Sequence, residues 1–238
     1  MPDSLLGREI VLAGGTGGLG TALASLLLEE GARVILGFRG NRDRAARWES
    51  AATLVQADLT EATGRGRLLD AAPELYGLVV LAGDPARVSD PSQTEAAMLL
   101  SHQANYLGPI LLAREAASRL KTRGIEGAIV LVSTMQANAL FPGSAVYADQ
   151  KAALQHSACL LAKECRPNIR VNVISPGVMA AGMAQASIAS GKYDRYLQEG
   201  VIGRFGCAGD VARAARFFLE PDNYITGQVL CVDGGITL

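Results

Sequence analysis

Two histidines and four dispersed cysteines leave this 238-residue chain short of metal ligands and of disulfide partners. Cys159, Cys165, Cys207 and Cys231 contain no C-x-x-C pair, so neither a zinc site nor a disulfide frame is expected, and the thiols should be reduced and mostly packed. His102 has no evident partner. His156, nine residues after Tyr147 on a mostly apolar helical stretch, is expected to be partly buried or at an interface. Neither sign of charge dominates: 22 Lys and Arg against 23 Asp and Glu give a net charge of −1, without the cationic field that nucleic acid or an anionic membrane requires. No apolar run nears the roughly 20 residues of a membrane span, and the opening M-P-D-S-L-L-G-R-E-I lacks the basic-then-apolar order of a signal peptide. A cytoplasmic protein is the expectation.

What the chain does have is glycine, 27 in all, and a 49% hydrophobic composition with positive mean hydropathy. That supports a sizeable core, and the length suits one large domain, 1–238, better than two. Short apolar runs at 10–13, 33–36, 53–56, 78–83, 129–132, 169–174 and 228–232 alternate with helical patterns, without an internal repeat. This reads as an α/β chain with a Rossmann-type, doubly wound, mostly parallel seven-stranded sheet and helices on both faces. In such a sheet the ligand belongs at the carboxyl ends of the strands.

The first run leads into Gly14-Gly15-Thr16-Gly17-Gly18-Leu19-Gly20 and then an apolar-striped helix. Glycines let the backbone turn tightly and approach a pyrophosphate, whose charge is favoured by free N–H groups at the helix start. The second run ends in Gly37-Phe38-Arg39, with Arg42 just beyond. An acidic residue there would accept from the 2′-hydroxyl of NAD(H); guanidinium groups suit a 2′-phosphate, so NADP(H) is expected over NAD(H). Asp58, followed by Leu59, could accept from an adenine amino group or cap the next helix. Ala82 and Gly83 end the fourth run, where a residue without a side chain would let a ribose come close. Asn105 interrupts a long helical pattern over 92–120 beside Gly108-Pro109; it either holds a local kink or places a polar group that orders water near Lys151.

Chemistry is expected along 128–163, where an apolar strand ends in Ser133-Thr134 and a helix opens with Tyr147 and Lys151. Residues four apart share a helix face, and an ammonium beside a phenol is expected to lower the phenol pKa toward a range useful for acid/base work. Pro176-Gly177 ends the sixth run in a turn suited to close approach of backbone to ligand. Residues 182–202, rich in Ala, Ser and Gly and carrying Tyr193 and Tyr196, read as a mobile, partly helical lid over a substrate pocket.

Over essentially its full length the chain resembles the short-chain dehydrogenase/reductase family and is ketoreductase-like. The loop from Gly14 to Gly20 is similar to T-G-x-x-x-G-x-G, Tyr147 and Lys151 match Y-x-x-x-K, and Asn105 sits in N-Y-L-G-P like the family's helix asparagine. Arg204-Phe205-Gly206, Thr226-Gly227-Gln228 and Val232-Asp233-Gly234-Gly235 are similar to its carboxyl-terminal signature. The resemblance implies hydride transfer between a nicotinamide cofactor and a small-molecule carbonyl or alcohol, with Tyr147 as acid/base and Lys151 on the nicotinamide ribose. It implies a water held by Asn105 in a proton relay, and a Ser133 or Thr134 hydroxyl on the substrate oxygen. The family's serine precedes its tyrosine by 13 positions, a count that reaches Thr134. Four positions depart from the pattern: Ala13 for the loop threonine, Val80-Leu81-Ala82-Gly83 for N-N-A-G, Ala181 for a threonine after Pro176-Gly177, and Thr134 itself. These imply altered cofactor binding rather than loss of activity. The alternatives are an NAD-dependent alcohol dehydrogenase and a non-catalytic nucleotide-binding regulatory protein. Apolar helices around Asn105 and after Tyr147 imply a homodimer or homotetramer.

Overall fold

The computed structural model describes residues 4–238 apart from Ser89 and Gly200, and the side chains of Met183, Ala186 and Glu199 lie outside that description. All seven expected strands form: β1 (Glu9–Ala13), β2 (Arg33–Phe38), β3 (Thr53–Gln56), β4 (Leu75–Val80), β5 (Gly127–Val132), β6 (Ile169–Pro176) and β7 (Val229–Val232). They build one sheet in the order β3-β2-β1-β4-β5-β6-β7. Every neighbouring pair is parallel, so the sheet is wholly rather than mostly parallel.

Between the strands run α1 (Gly18–Glu29), α2 (Arg42–Ala46), α3 (Ala62–Asp70), α4 (Thr94–His102), α5 (Gly108–Arg123), α6 (Ala145–Glu164), α7 (Gln185–Ala189), α8 (Arg195–Glu199) and α9 (Ala208–Leu219). Alternate side chains of a strand face opposite sides of the sheet, so a strand covered on both sides must be apolar throughout. β1 shows this: Ile10 and Leu12 join the core with α1 and α9, whereas Val11 and Ala13 join the core with α3, α5 and α6. The continuous apolar runs of the sequence are the direct consequence.

The chain leaves β1 toward β2 and β3, then returns across β1 to place β4 on its other side. A crevice opens at the carboxyl ends where the winding direction reverses. β4 stops at Val80, short of the expected 83, because Leu81 and Ala82 both donate to the Ala13 carbonyl and leave the strand ladder. The long helix expected over 92–120 is two helices joined by a π-helical turn at Gln103–Leu107, closed by the Gly108 N–H on the Gln103 carbonyl. Pro109 has no N–H to give the Asn105 carbonyl, its partner in an uninterrupted α-helix, so the helix re-registers here. Residues 182–202 contain a short 3₁₀ turn at Gly182–Ala184 followed by α7 and α8, with Gly200 outside the described residues.

Candidate active site

A cavity of about 1200 Å³ opens at the crevice, and Gly14, Thr16, Gly17, Gly18, Leu19 and Gly20 form its floor. Gly14 holds φ at +83°, and a Cβ there would stand 2.8 Å from the Ala82 nitrogen. A Cβ on Gly18 would run into the Gly182 backbone, so the 181–182 segment lies directly on the glycine loop. α1 starts without a side-chain cap and without an acidic residue in its first turn, leaving its first backbone N–H groups for an anion. The residues present therefore fit a dinucleotide pyrophosphate.

Farther along the same cavity lie Arg39, Asp58 and Leu59. Gln56 takes up the Arg42 guanidinium at 3.2 Å, so of the two arginines it is Arg39 that lines the cavity. The Asp58 carboxylate accepts from the Thr60 N–H at 2.9 Å and hydroxyl at 2.8 Å. Burial pushes this carboxyl up, but the Thr60 bonds and the Arg39 charge outweigh it and hold the pKa below the ordinary value. Asp58 does not cap the helix, since Glu61 stands at the N-cap of α3 and the turn to Thr60 occupies the carboxylate.

Asn105 is fully buried. Its Oδ1 accepts from the Asp84 N–H at 2.8 Å, and its Nδ2 donates to the Asp84 carbonyl at 2.9 Å and the Ser101 hydroxyl at 3.0 Å. Ser101 in turn donates to the Val146 carbonyl at 2.6 Å, next to Tyr147. The side chain thus ties the β4 exit loop to the start of α6. Gly83 sits against this group: a Cβ there would come 3.0 Å from Asn105 Oδ1 and 3.4 Å from Lys151 Nζ.

Tyr147 and Lys151 share the cavity-facing side of α6, with Nζ 5.9 Å from the phenol ring centroid. Lys151 is buried, and its Nζ donates to the Val132 carbonyl at 2.9 Å. The expected lowering of the phenol pKa is absent from this structure. Burial, followed by the charge of Asp84, raises Tyr147 to about 12, and burial lowers Lys151 to about 8. Both charged forms are taken out of water, and at this separation that loss exceeds the attraction between them.

The two hydroxyls at the end of β5 are used differently. Ser133 is buried, donates to the Lys151 carbonyl at 3.1 Å and accepts from Gln155 Nε2 at 3.0 Å. Both residues line the cavity, but the only hydrogen bond of the Thr134 hydroxyl among the described residues is a long one accepted from Gln136 N–H at 3.4 Å. Thr134 is therefore the hydroxyl left to donate into the cavity. Ala82, Pro176 and Gly177 complete the wall, with the Gly177 N–H held by the Val232 carbonyl at 3.0 Å.

Other expectations resolve away from the site. His102, without a partner in the sequence, gains one in the fold: its Nδ1 lies 2.9 Å from Gln150 Oε1. His156 is exposed rather than partly buried, and Cys207, at the N-cap of α9, and Cys231, on β7, are exposed rather than packed. No group of metal-ligating side chains occurs among the described residues, and no described helix is long and apolar enough to cross a membrane. Sequence reasoning missed Ser101, Phe141 and Arg87 as site-forming residues and held Gly182, Lys192 and Arg195 only as unnamed members of the 182–202 lid. Only Phe141 carried a signal, as the aromatic residue opening the Pro142-Gly143 turn.

A family profile described as enoyl-(acyl carrier protein) reductase matches residues 13–237. An uncharacterized oxidoreductase of Methylorubrum extorquens is 33% identical over 249 residues, covering 98% of this chain and 99% of that one. A chloroplastic NADPH-dependent aldehyde reductase 2 of Arabidopsis thaliana is 29% identical over 263 residues, covering 100% of this chain and 96% of that one. Among solved structures, a short-chain type dehydrogenase/reductase from Mycobacterium ulcerans superposes with a TM-score of 0.92 at 27% identity, covering 98% of this chain and 91% of the other.

Proposed function

The chain belongs to the short-chain dehydrogenase/reductase family of oxidoreductases, and from that premise we propose that it reduces a small-molecule carbonyl at the expense of NADPH. One observation carries this reading: Tyr147, Lys151 and Thr134 border a single cavity with the glycine loop, and Asn105 lies buried behind its wall against Gly83. NADPH, when bound, supplies the hydride for the carbonyl carbon. The Gly14–Gly20 loop and the uncapped start of α1 hold its pyrophosphate, Arg39 its 2′-phosphate, Asp58 and Leu59 its adenine, and Ala82, Gly83, Pro176 and Gly177 its remaining edges.

Thr134 donates to the carbonyl oxygen and orients it, and Tyr147 gives that oxygen its proton as negative charge develops there. A phenol raised to about 12 stays protonated at neutral pH, and a forming alkoxide is basic enough to take its proton, which favours the reducing direction. Lys151, at about 8, exchanges protons readily near neutrality, and with its Nζ 5.9 Å from the ring centroid it can restore the phenol only through a relay between them. Residues 182–202 act as the lid. NADPH is favoured over NADH by Arg39 at the end of β2, and one of the relatives is described as NADPH-dependent.

The test is Tyr147→Phe. NADPH binding by fluorescence and the thermal unfolding transition should be retained while NADPH oxidation with a panel of ketones and aldehydes falls about a thousandfold or more. Turnover persisting at a tenth of wild type would sink the role of Tyr147. Tight NADPH binding by wild type with no turnover across the panel would favour a nucleotide-binding regulatory protein instead.

A further inference from the structure

We propose that the substrate carries a carboxylate beside an apolar, aromatic body, with Lys192 as the main partner of that carboxylate; this rests on the reading of the cavity as a reductase site. The outer part of the cavity has an aromatic wall. Phe141 and Tyr196 meet edge to face with centroids 5.9 Å apart, and Tyr193 stands 5.8 Å from Tyr196. Edge-on and tilted rings of this kind present an apolar surface to a flat ligand.

The charges on that wall have one sign. Lys192 and Arg195 stand against its rings, Arg87 lines the same cavity, and the one carboxylate among the described lining residues is Asp58, which sits with Arg39 on the side of the glycine loop. Arg195 is held in place by its 2.8 Å bond to the Tyr196 hydroxyl and by its position 4.7 Å from that ring's centroid. Arg87 and Arg195 also have further contacts of their own. Lys192 forms no ion pair among the described residues, and its Nζ rests 5.8 Å from the centre of the Tyr193 ring.

The nearby carboxylates of Asp84 and Asp194 are not among the lining residues, although the Asp84 charge still reaches Tyr147. Asp84 Oδ1 accepts from the Ala86 N–H at 2.9 Å, and Asp194 Oδ2 folds back to 3.2 Å from where a Cβ of Gly191 would stand. A cationic substrate would meet only like charge on the wall. A neutral one would leave the exposed Lys192 to solvent and gain nothing from its charge. An anion on an aromatic body satisfies both the charge and the rings.

Benzoylformate, benzoylpropionate and benzoylbutyrate, each against its methyl ester, place the carboxylate at three distances from the ketone. The best acid should exceed its ester in kcat/KM by roughly tenfold or more at low salt. Lys192→Gln should cut that acid-to-ester ratio by about tenfold through KM, and Lys192→Arg should restore most of it. A ratio of one or less for every pair, or a ratio unchanged in Lys192→Gln, overturns the inference. Calorimetric titration of the NADPH-saturated protein with each acid and ester reads the same preference without turnover. Tighter binding of the acid with no reduction would overturn the reductase reading alone, whereas equal or absent binding of both members of every pair would overturn the carboxylate.

Discussion

Lys151 Nζ donates to the Val132 carbonyl at 2.9 Å and lies 5.9 Å from the centre of the Tyr147 ring, so the buried ammonium is anchored to the end of β5 and stands off the phenol. Its position is set by the strand, and its proton affinity by burial.

This anchoring has a stability consequence. Below pH 8 Lys151 is protonated in both the folded and the unfolded chain, and the penalty for burying its charge is fully present. Between about 8 and the ordinary 10.5 the folded chain has given up the proton and the unfolded chain has not, so stability rises with pH across that window. Replacing the charge with a linear apolar side chain in Lys151→Met removes a penalty on the order of 3 kcal/mol and forfeits about 1 kcal/mol for the Val132 bond. Differential scanning calorimetry at pH 7 should show a melting temperature higher by several degrees, with carbonyl reduction lost. A melting temperature below wild type would contradict this balance.

The two hydroxyls of β5 should separate by phenotype. Thr134→Ala removes a donor aimed at the substrate oxygen and should lower kcat by about a hundredfold with little change in melting, while Thr134→Ser should keep most of the activity. Ser133→Ala removes one partner from Gln155 Nε2, which keeps Asn138 Oδ1, and one from the Lys151 carbonyl, and should destabilise by about 1 kcal/mol. Steady-state kinetics beside chemical denaturation decides; a kcat loss confined to Ser133→Ala would reverse the assignment.

Ser101 never reaches the cavity lining, yet it joins Asn105 to the Val146 carbonyl. Ser101→Ala should lower kcat roughly tenfold at unchanged KM and shift the pH profile of kcat, because the carbonyl beside Tyr147 loses its tether. Recovery in Ser101→Thr distinguishes the tether from general packing. An unaltered pH profile would leave Ser101 a packing residue.

Arg39→Ala should weaken NADPH by roughly tenfold or more and leave NADH affinity nearly unchanged, since one charge-assisted contact to a 2′-phosphate is worth about 1.5–3 kcal/mol. Fluorescence titration with both nucleotides reads the difference. Equal effects on the two would point to NAD as the cofactor.

Met98, Leu99 and Leu100 on α4, Leu107 in the π-helical turn and Leu160 on α6 remain exposed in the single chain. Burial of such apolar side chains against a second copy predicts a homodimer or homotetramer in solution. Light scattering that returned only a 24.8 kDa species would remove that expectation.

Much of the fold was legible because its signals are local. The buried strands had to be apolar on both faces, and the glycine string between β1 and α1 could serve only a backbone packed closely against other groups. The four-residue spacing of Tyr147 and Lys151 placed them together through helix periodicity alone. The long pattern over 92–120 was legible as helix, but the π-helical turn at Asn105 was visible only as Gly108 and Pro109. His102 found Gln150, 48 residues away, a pairing no local pattern contains.

By itself, then, the sequence determined the doubly wound sheet, the glycine-lined edge and the tyrosine and lysine on one helix face, since each follows from periodicity or from residue shape within a short window. The tertiary structure decided what those groups are chemically. It buried Lys151 against Val132 and raised the Tyr147 phenol instead of lowering it. It tied Ser133 to α6 and left Thr134 facing the cavity. It also laid Gly182 on Gly18. Proton affinity and hydrogen-bond partners depend on distance and desolvation between segments far apart in the chain, and those exist only once the sheet has closed around them.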